Sequence, residues 1–197
     1  MTCIVVLKDE VTKRTYMGGD SAGVDASHDL RNYIQPKVFH NGEFLMGYTT
    51  SFRMGQILEH SFTPPKIKRG TELYRYMVKD FIETVREALQ QGGFARSTEE
   101  GEEEGGTFLV AVRDRVFSIQ DDFQVAEYFE GFSAVGCGGS FALGALMRME
   151  DELNGMSSED RVRASLVIAE RLSGGVRAPF TILSIPHRPP RKMRKRK

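Results

Sequence analysis

The chain has 197 residues, equal numbers of basic and acidic side chains, and two cysteines, Cys3 and Cys137, far apart in sequence. That length suits one domain, or at most two small ones, with enough chain to bury a core without staples. The cysteine pattern excludes a disulfide framework or a zinc spacing, no apolar run approaches the roughly 20 residues of a membrane helix, and no basic-then-apolar leader opens the chain, so a reducing, cytoplasmic setting is expected.

The first elements in chain order are strands. CIVVL and RTYMGG read as a hairpin joined by the polar turn KDEVTK, and KVFHNGEFLMGY reads as a second hairpin turning at Asn41-Gly42. Ser51 to about His60 reads as a short helix, broken at Pro64-Pro65. In TELYRYMVKDFIETVREALQQGG, the residues Leu73, Met77, Phe81, Val85 and Leu89 recur every fourth position and Gly92-Gly93 end the pattern, which predicts an amphipathic helix. TFLVAV, RVFSI, AEYF and GFSAVG predict four short strands. SFALGALMRMEDEL and the Ser-capped SSEDRVRASLVIAERLSGG predict two more helices, and FTILSI a last strand. Runs of strands and helices segregated in this way predict an α+β sandwich, two stacked sheets with helices outside.

Charge is unevenly placed. The segment from Arg188 (RPPRKMRKRK) holds seven basic residues and no acid, so the remaining body has a net charge of minus seven. STEEGEEEGG, residues 97–106, holds five glutamates. Both stretches lack the apolar residues that offset ordering entropy, which predicts two mobile segments, with residues 1–187 as the folded domain and 188–197 as a basic tail. Such a tail suits an acidic surface. Nucleic acid is a poorer fit, because no aromatic residue is interleaved to stack on bases.

Four stretches in this order carry a resemblance: the Thr2 start, YMGGDSAG, GFSAVGCGGSFALGAL and ERLSGG. Together they are similar to proteasome β subunits and to the bacterial protease subunit HslV, which are N-terminal nucleophile hydrolases. The resemblance runs to about Ile185 and implies a four-layer αββα sandwich of two antiparallel sheets. It also implies a threonine endopeptidase that needs no cofactor, takes protein or peptide substrates, assembles into rings and is fed by an unfolding ATPase.

The chemistry can be argued from the residues. Thr2 follows the initiator and has a small side chain, so Met1 is open to removal by an aminopeptidase. A threonine hydroxyl is a weak nucleophile and needs a base beside it. A free α-amine, with an ordinary pKa near 7.7–8.0, puts that base in the same residue. The resemblance matches Lys37 to the lysine that approaches the nucleophile and Asp20 to the aspartate that pairs with it. A buried ammonium needs such a partner. Cys137 stands where the family usually has serine, and Glu170 where it has aspartate. Ser173 matches a serine that bonds near the amine. Gly136 and Gly138 belong to the glycine turn before a helix. Ser51 falls where the family's oxyanion-binding glycine stands, and Thr49 and Arg53 fall near its first specificity pocket. An arginine there implies a preference for acidic side chains before the cleaved bond. The departures at Cys137, Glu170 and Ser51 keep a catalytically silent structural subunit as an alternative. An amidohydrolase acting on a small molecule is a third reading.

Overall fold

A computed structural model describes residues 1–25, 27, 29–94, 96–97, 103–151 and 155–187. The basic tail and residues 98–102 of the acidic stretch lie outside the described residues.

Two antiparallel sheets form the centre. The first has the order β12-β1-β2-β13, built from Phe132–Val135, Ile4–Asp9, Arg14–Gly19 and Thr181–Pro186. The second has the order β11-β10-β9-β6-β5, built from Val125–Glu127, Arg115–Ile119, Phe108–Val112, Phe44–Tyr48 and Val38–Asn41. Both predicted hairpins are present: Ile4 faces Gly19 in one and Asn41 faces Phe44 in the other. The expected strand AEYF is shorter than its pattern. β11 stops at Glu127, and Phe129 projects fully into solvent.

The alternation along each strand sorts residues into layers, because successive side chains point to opposite faces. In β1, Ile4 and Val6 pack between the sheets with Met17, Val38, Leu45, Leu109 and Ala111. Cys3, Val5 and Leu7 point the other way, onto α4 (Gly139–Asp151) and α5 (Ser158–Leu172), where they meet Ala142, Leu146, Val162 and Leu166. In β6 and β9, Phe44, Met46, Phe108 and Val110 point outward onto α1 (Phe52–His60), α2 (Leu73–Tyr76) and α3 (Ile82–Gln91). The fold is therefore the expected four-layer αββα sandwich. Gly47 lets the sheets approach: an ideal Cβ there would lie 2.7 Å from Ile4 Cγ2 and from Met17 Sδ.

Between α2 and α3 lies a π-helical turn, Met77–Phe81. A strict four-residue spacing drifts about 40° per step around an α-helix. The wider i→i+5 turn takes up part of that drift, so Leu73, Met77, Phe81, Val85 and Leu89 are all buried. Two short ribbons complete the fold, β3 (Ala22–Val24) with β4 (Leu30–Asn32), and β7 (Arg96–Ser97) with β8 (Glu103–Glu104).

Candidate active site

Thr2 continues β1 past its first paired residue. Its carbonyl accepts from Gly138 N at 3.2 Å, and the Cys3 carbonyl beside it accepts from Asp20 N at 3.3 Å. The nucleophile candidate is thus fixed between the end of β2 and the glycine turn. Gly136 has φ +92°, and an ideal Cβ there would lie 2.3 Å from the Thr2 carbonyl oxygen. Only glycine fits a position that is both left-handed and this close to backbone.

Lys37 stands just before β5, tied through its carbonyl to Tyr48 N at 3.1 Å. Its side chain is 1% exposed. The ammonium donates to Thr2 Oγ1 at 2.9 Å and to Asp20 Oδ1 at 2.8 Å. Burial pushes the Lys37 pKa down, and the Asp20 charge opposes that shift. Asp20 also accepts backbone N–H bonds from Cys3 (3.0 Å), Ala22 (2.9 Å) and Arg177 (3.3 Å). Both carboxylate oxygens are therefore saturated, which suits an anion buried away from water. The Phe52 ring lies on another side of Lys37, its centroid 5.6 Å from Nζ.

Cys137 lies beside the backbone nitrogen that would become the free amine. Thr2 N donates to Cys137 Sγ at 3.3 Å, and Ser173 Oγ donates to the same sulfur at 3.3 Å. The sulfur thus stands between Thr2 and Ser173. With Met1 in place, Thr2 Oγ1 donates to the Met1 carbonyl at 2.5 Å. Cys3 is buried, and that burial pushes its thiol well above the usual range, so it packs as a small apolar residue.

The remaining sequence-predicted residues separate into groups. Thr49 is buried near the glycine turn, its Oγ1 3.2 Å from an ideal Cβ at Gly136. Ser51 caps α1 and accepts from Arg53 N. Its own N–H donates to the Thr49 carbonyl at 2.7 Å, across Thr50 at φ +67°. In this conformation that N–H is turned to the chain itself. The Gly138 N–H is likewise held by the Thr2 carbonyl. Arg53 sends Nη2 to the Gly92 carbonyl, 2.9 Å away at the end of α3. Glu170 accepts from Ala178 N at 3.0 Å, so it braces the loop whose Arg177 N–H caps Asp20.

Sequence reasoning missed the three backbone donors on Asp20 and the ring of Phe52. The Ala22 bond had a local signal, since an aspartate commonly caps the N–H two residues on. Among the described residues, no group of three or more His, Cys, Asp or Glu side chains is placed to hold a metal ion, and no helix is long and apolar enough to cross a membrane.

No protein-family model matches the chain, and no curated protein matches it by sequence. Solved structures do. BPH from Thiobacillus denitrificans, in complex with epoxomicin, superposes with a TM-score of 0.78 at 18% identity, covering 95% of this chain and 100% of that one. This chain has the fold of the N-terminal nucleophile hydrolases. Eukaryotic HslV from Trypanosoma brucei matches with a TM-score of 0.66 at 16% identity over 94% of this chain and all of that one. Anbu (ancestral beta-subunit) from Yersinia bercovieri matches with a TM-score of 0.62 at 14% identity over 94% of this chain and 82% of that one. The resemblance read from four short motifs is thus matched by an N-terminal nucleophile fold along nearly the whole chain.

Proposed function

We propose that the chain is a threonine-type endopeptidase that forms an acyl-enzyme ester on Thr2 once Met1 is removed. The observation that carries this reading is the buried run Asp20–Lys37–Thr2, with an ion-paired ammonium 2.9 Å from the hydroxyl of the second residue. Burying a charge pair is expensive, and hydrophobic replacements are often as stable. A pair aimed at a hydroxyl therefore suits chemistry better than packing.

Removal of Met1 frees the Thr2 amine. The amine takes the hydroxyl proton, directly or through one water, as Oγ1 attacks the scissile carbonyl. Lys37 stays protonated and offsets the negative charge that develops on Oγ1. Ser51 N–H stabilises the oxyanion after it leaves the Thr49 carbonyl. Collapse of the tetrahedral intermediate breaks the C–N bond, and the leaving amine takes the proton from Thr2 N. Water then hydrolyses the ester with the same amine as base. Cys137 and Ser173 orient that amine, while Glu170 acts one step back, through the Arg177–Ala178 loop. Gly136 leaves room for the chain at Thr2.

We infer that the site works within a ring of such subunits in the cytoplasm, with an unfolding ATPase supplying protein substrate. The outward faces of α4 and α5 support an assembly, because Phe141, Met147, Val167, Ile168 and Leu172 are exposed there. The competing reading, a catalytically silent subunit, draws on the Ser51 N–H being held by the Thr49 carbonyl. The test is intact mass followed by turnover. The peptidase reading expects loss of Met1 and cleavage of peptides and unfolded protein. A chain that keeps Met1 and cleaves neither supports the silent subunit.

A further inference from the structure

Three aromatic rings cluster beside the lysine that touches the candidate nucleophile. Phe52 opens α1, and its ring approaches Lys37, the residue that touches Thr2 Oγ1. Tyr33 packs on Phe52 with ring centroids 4.7 Å apart and planes at 35°, and Tyr48 meets Phe52 edge-on at 6.0 Å. Tyr33 remains 46% exposed, so this pair ends in solvent. Its position is fixed at two points. Its N–H donates to the Ser21 carbonyl at 2.9 Å, and its ring covers Gly23, where an ideal Cβ would lie 1.8 Å from Cε2. Gly23 thus leaves the room in which the ring lies against the β3–β4 ribbon.

The arginine expected at the pocket turns its charge elsewhere. Arg53 follows Phe52 but places its guanidinium on the Gly92 carbonyl, at a helix end whose open carbonyls attract a cation. The charge that touches Thr2 is Lys37, and Asp20 already pairs with it.

We propose that Tyr33 and Phe52 are the specificity-determining wall of the site, and that the chain cleaves after aromatic or large apolar residues rather than acidic ones. This rests on the peptidase reading. An aromatic side chain in the substrate gains offset or edge contacts with the two rings, whereas a carboxylate meets the negative face of their π-systems. Apolar contacts of this kind discriminate by roughly 10–200-fold.

The experiment uses the full chain lacking Met1 and a peptide series that differs only in the residue before the cleaved bond: Phe, Leu, Ala, Asp or Lys. The expected result is kcat/KM for Phe and Leu above that for Asp by about tenfold or more. In Tyr33→Ala the Phe-to-Ala ratio falls by about tenfold. Phe52→Leu keeps apolar bulk but removes the ring, and it should lower kcat/KM for Phe relative to Leu. It carries the test if Tyr33→Ala does not give the native far-ultraviolet spectrum. A wild-type chain that favours Asp or Lys, or ratios unchanged in the folded variants, overturns the proposal. Failure of the peptidase reading looks different: no peptide of the series is cleaved, and a peptide epoxyketone adds no mass.

Discussion

Replacing Asp20 by alanine leaves Lys37 buried without its partner and strips the acceptor from three backbone donors, Cys3, Ala22 and Arg177. Breaking a buried pair by removing one side costs about 3–5 kcal/mol. Each orphaned buried N–H adds up to about 1–3 kcal/mol, less what water or relaxation restores. A loss of roughly 4–6 kcal/mol is expected, a large share of the roughly 5–15 kcal/mol that holds a typical domain. For a chain of this size, that lowers Tm by about 10–20 °C. The assay is urea unfolding followed by far-ultraviolet circular dichroism, on protein that still carries Met1 so that activity plays no part. The double variant Asp20→Ala/Lys37→Met removes the stranded charge and should recover about 2 kcal/mol or more relative to the single variant. A single-variant loss under about 1 kcal/mol, or a double variant no better than the single, would refute the claim that this pair is buried and mutually dependent.

Thr2→Ala should lower peptide turnover by about a million-fold, the usual loss when a covalent nucleophile is removed, with the thermal midpoint within a few degrees of wild type. Burial lowers the Lys37 pKa, so kcat/KM should fall on the alkaline side earlier than for an exposed lysine, and Asp20→Asn should move that limb lower still, as read from pH–rate profiles. The sign for stability is opposite. The folded value lies below the unfolded one, so urea midpoints should rise as pH climbs from the folded towards the unfolded lysine value and lose that gain as pH falls back. Gly136→Ala puts a methyl 2.3 Å from the Thr2 carbonyl oxygen at a left-handed φ, and should cost roughly 1–3 kcal/mol in urea while displacing the nucleophile and reducing turnover. Cys137→Ser keeps a donor and acceptor between Thr2 N and Ser173, so turnover should hold or rise; abolished turnover would give the thiol a chemical role not assigned above.

The sandwich was legible from the order of strand-like and helix-like runs. CIVVL is apolar at every position, so which of its residues face between the sheets and which face the helices emerged only in the structure. Thr2, Asp20 and Lys37 were legible through motif order, and they meet within hydrogen-bond reach. What stayed hidden depends on contacts distant in sequence. The Arg177 donor on Asp20 comes from 157 residues away, and the Glu170 brace depends on where that loop returns. The sequence offers Arg53 as a pocket cation, but it does not show that the end of α3 stands close enough to take the guanidinium. The π turn left only a faint trace, a four-residue repeat too regular for an ideal helix. The ribbon β3–β4, three residues in each strand, is too short for alternation to mark it.

One measurement bears most directly on the central claim: the mass and attachment site of a covalent adduct. A peptide epoxyketone carries two electrophilic carbons that a hydroxyl and an amine of one residue can attack together. The chain lacking Met1 should gain one inhibitor mass, located at Thr2 by peptide fragmentation. The chain retaining Met1 and the Lys37→Ala variant should gain none or gain it far more slowly. An adduct at Cys137 instead of Thr2, or no adduct on a folded chain that has lost Met1, would contradict Thr2 as the nucleophile.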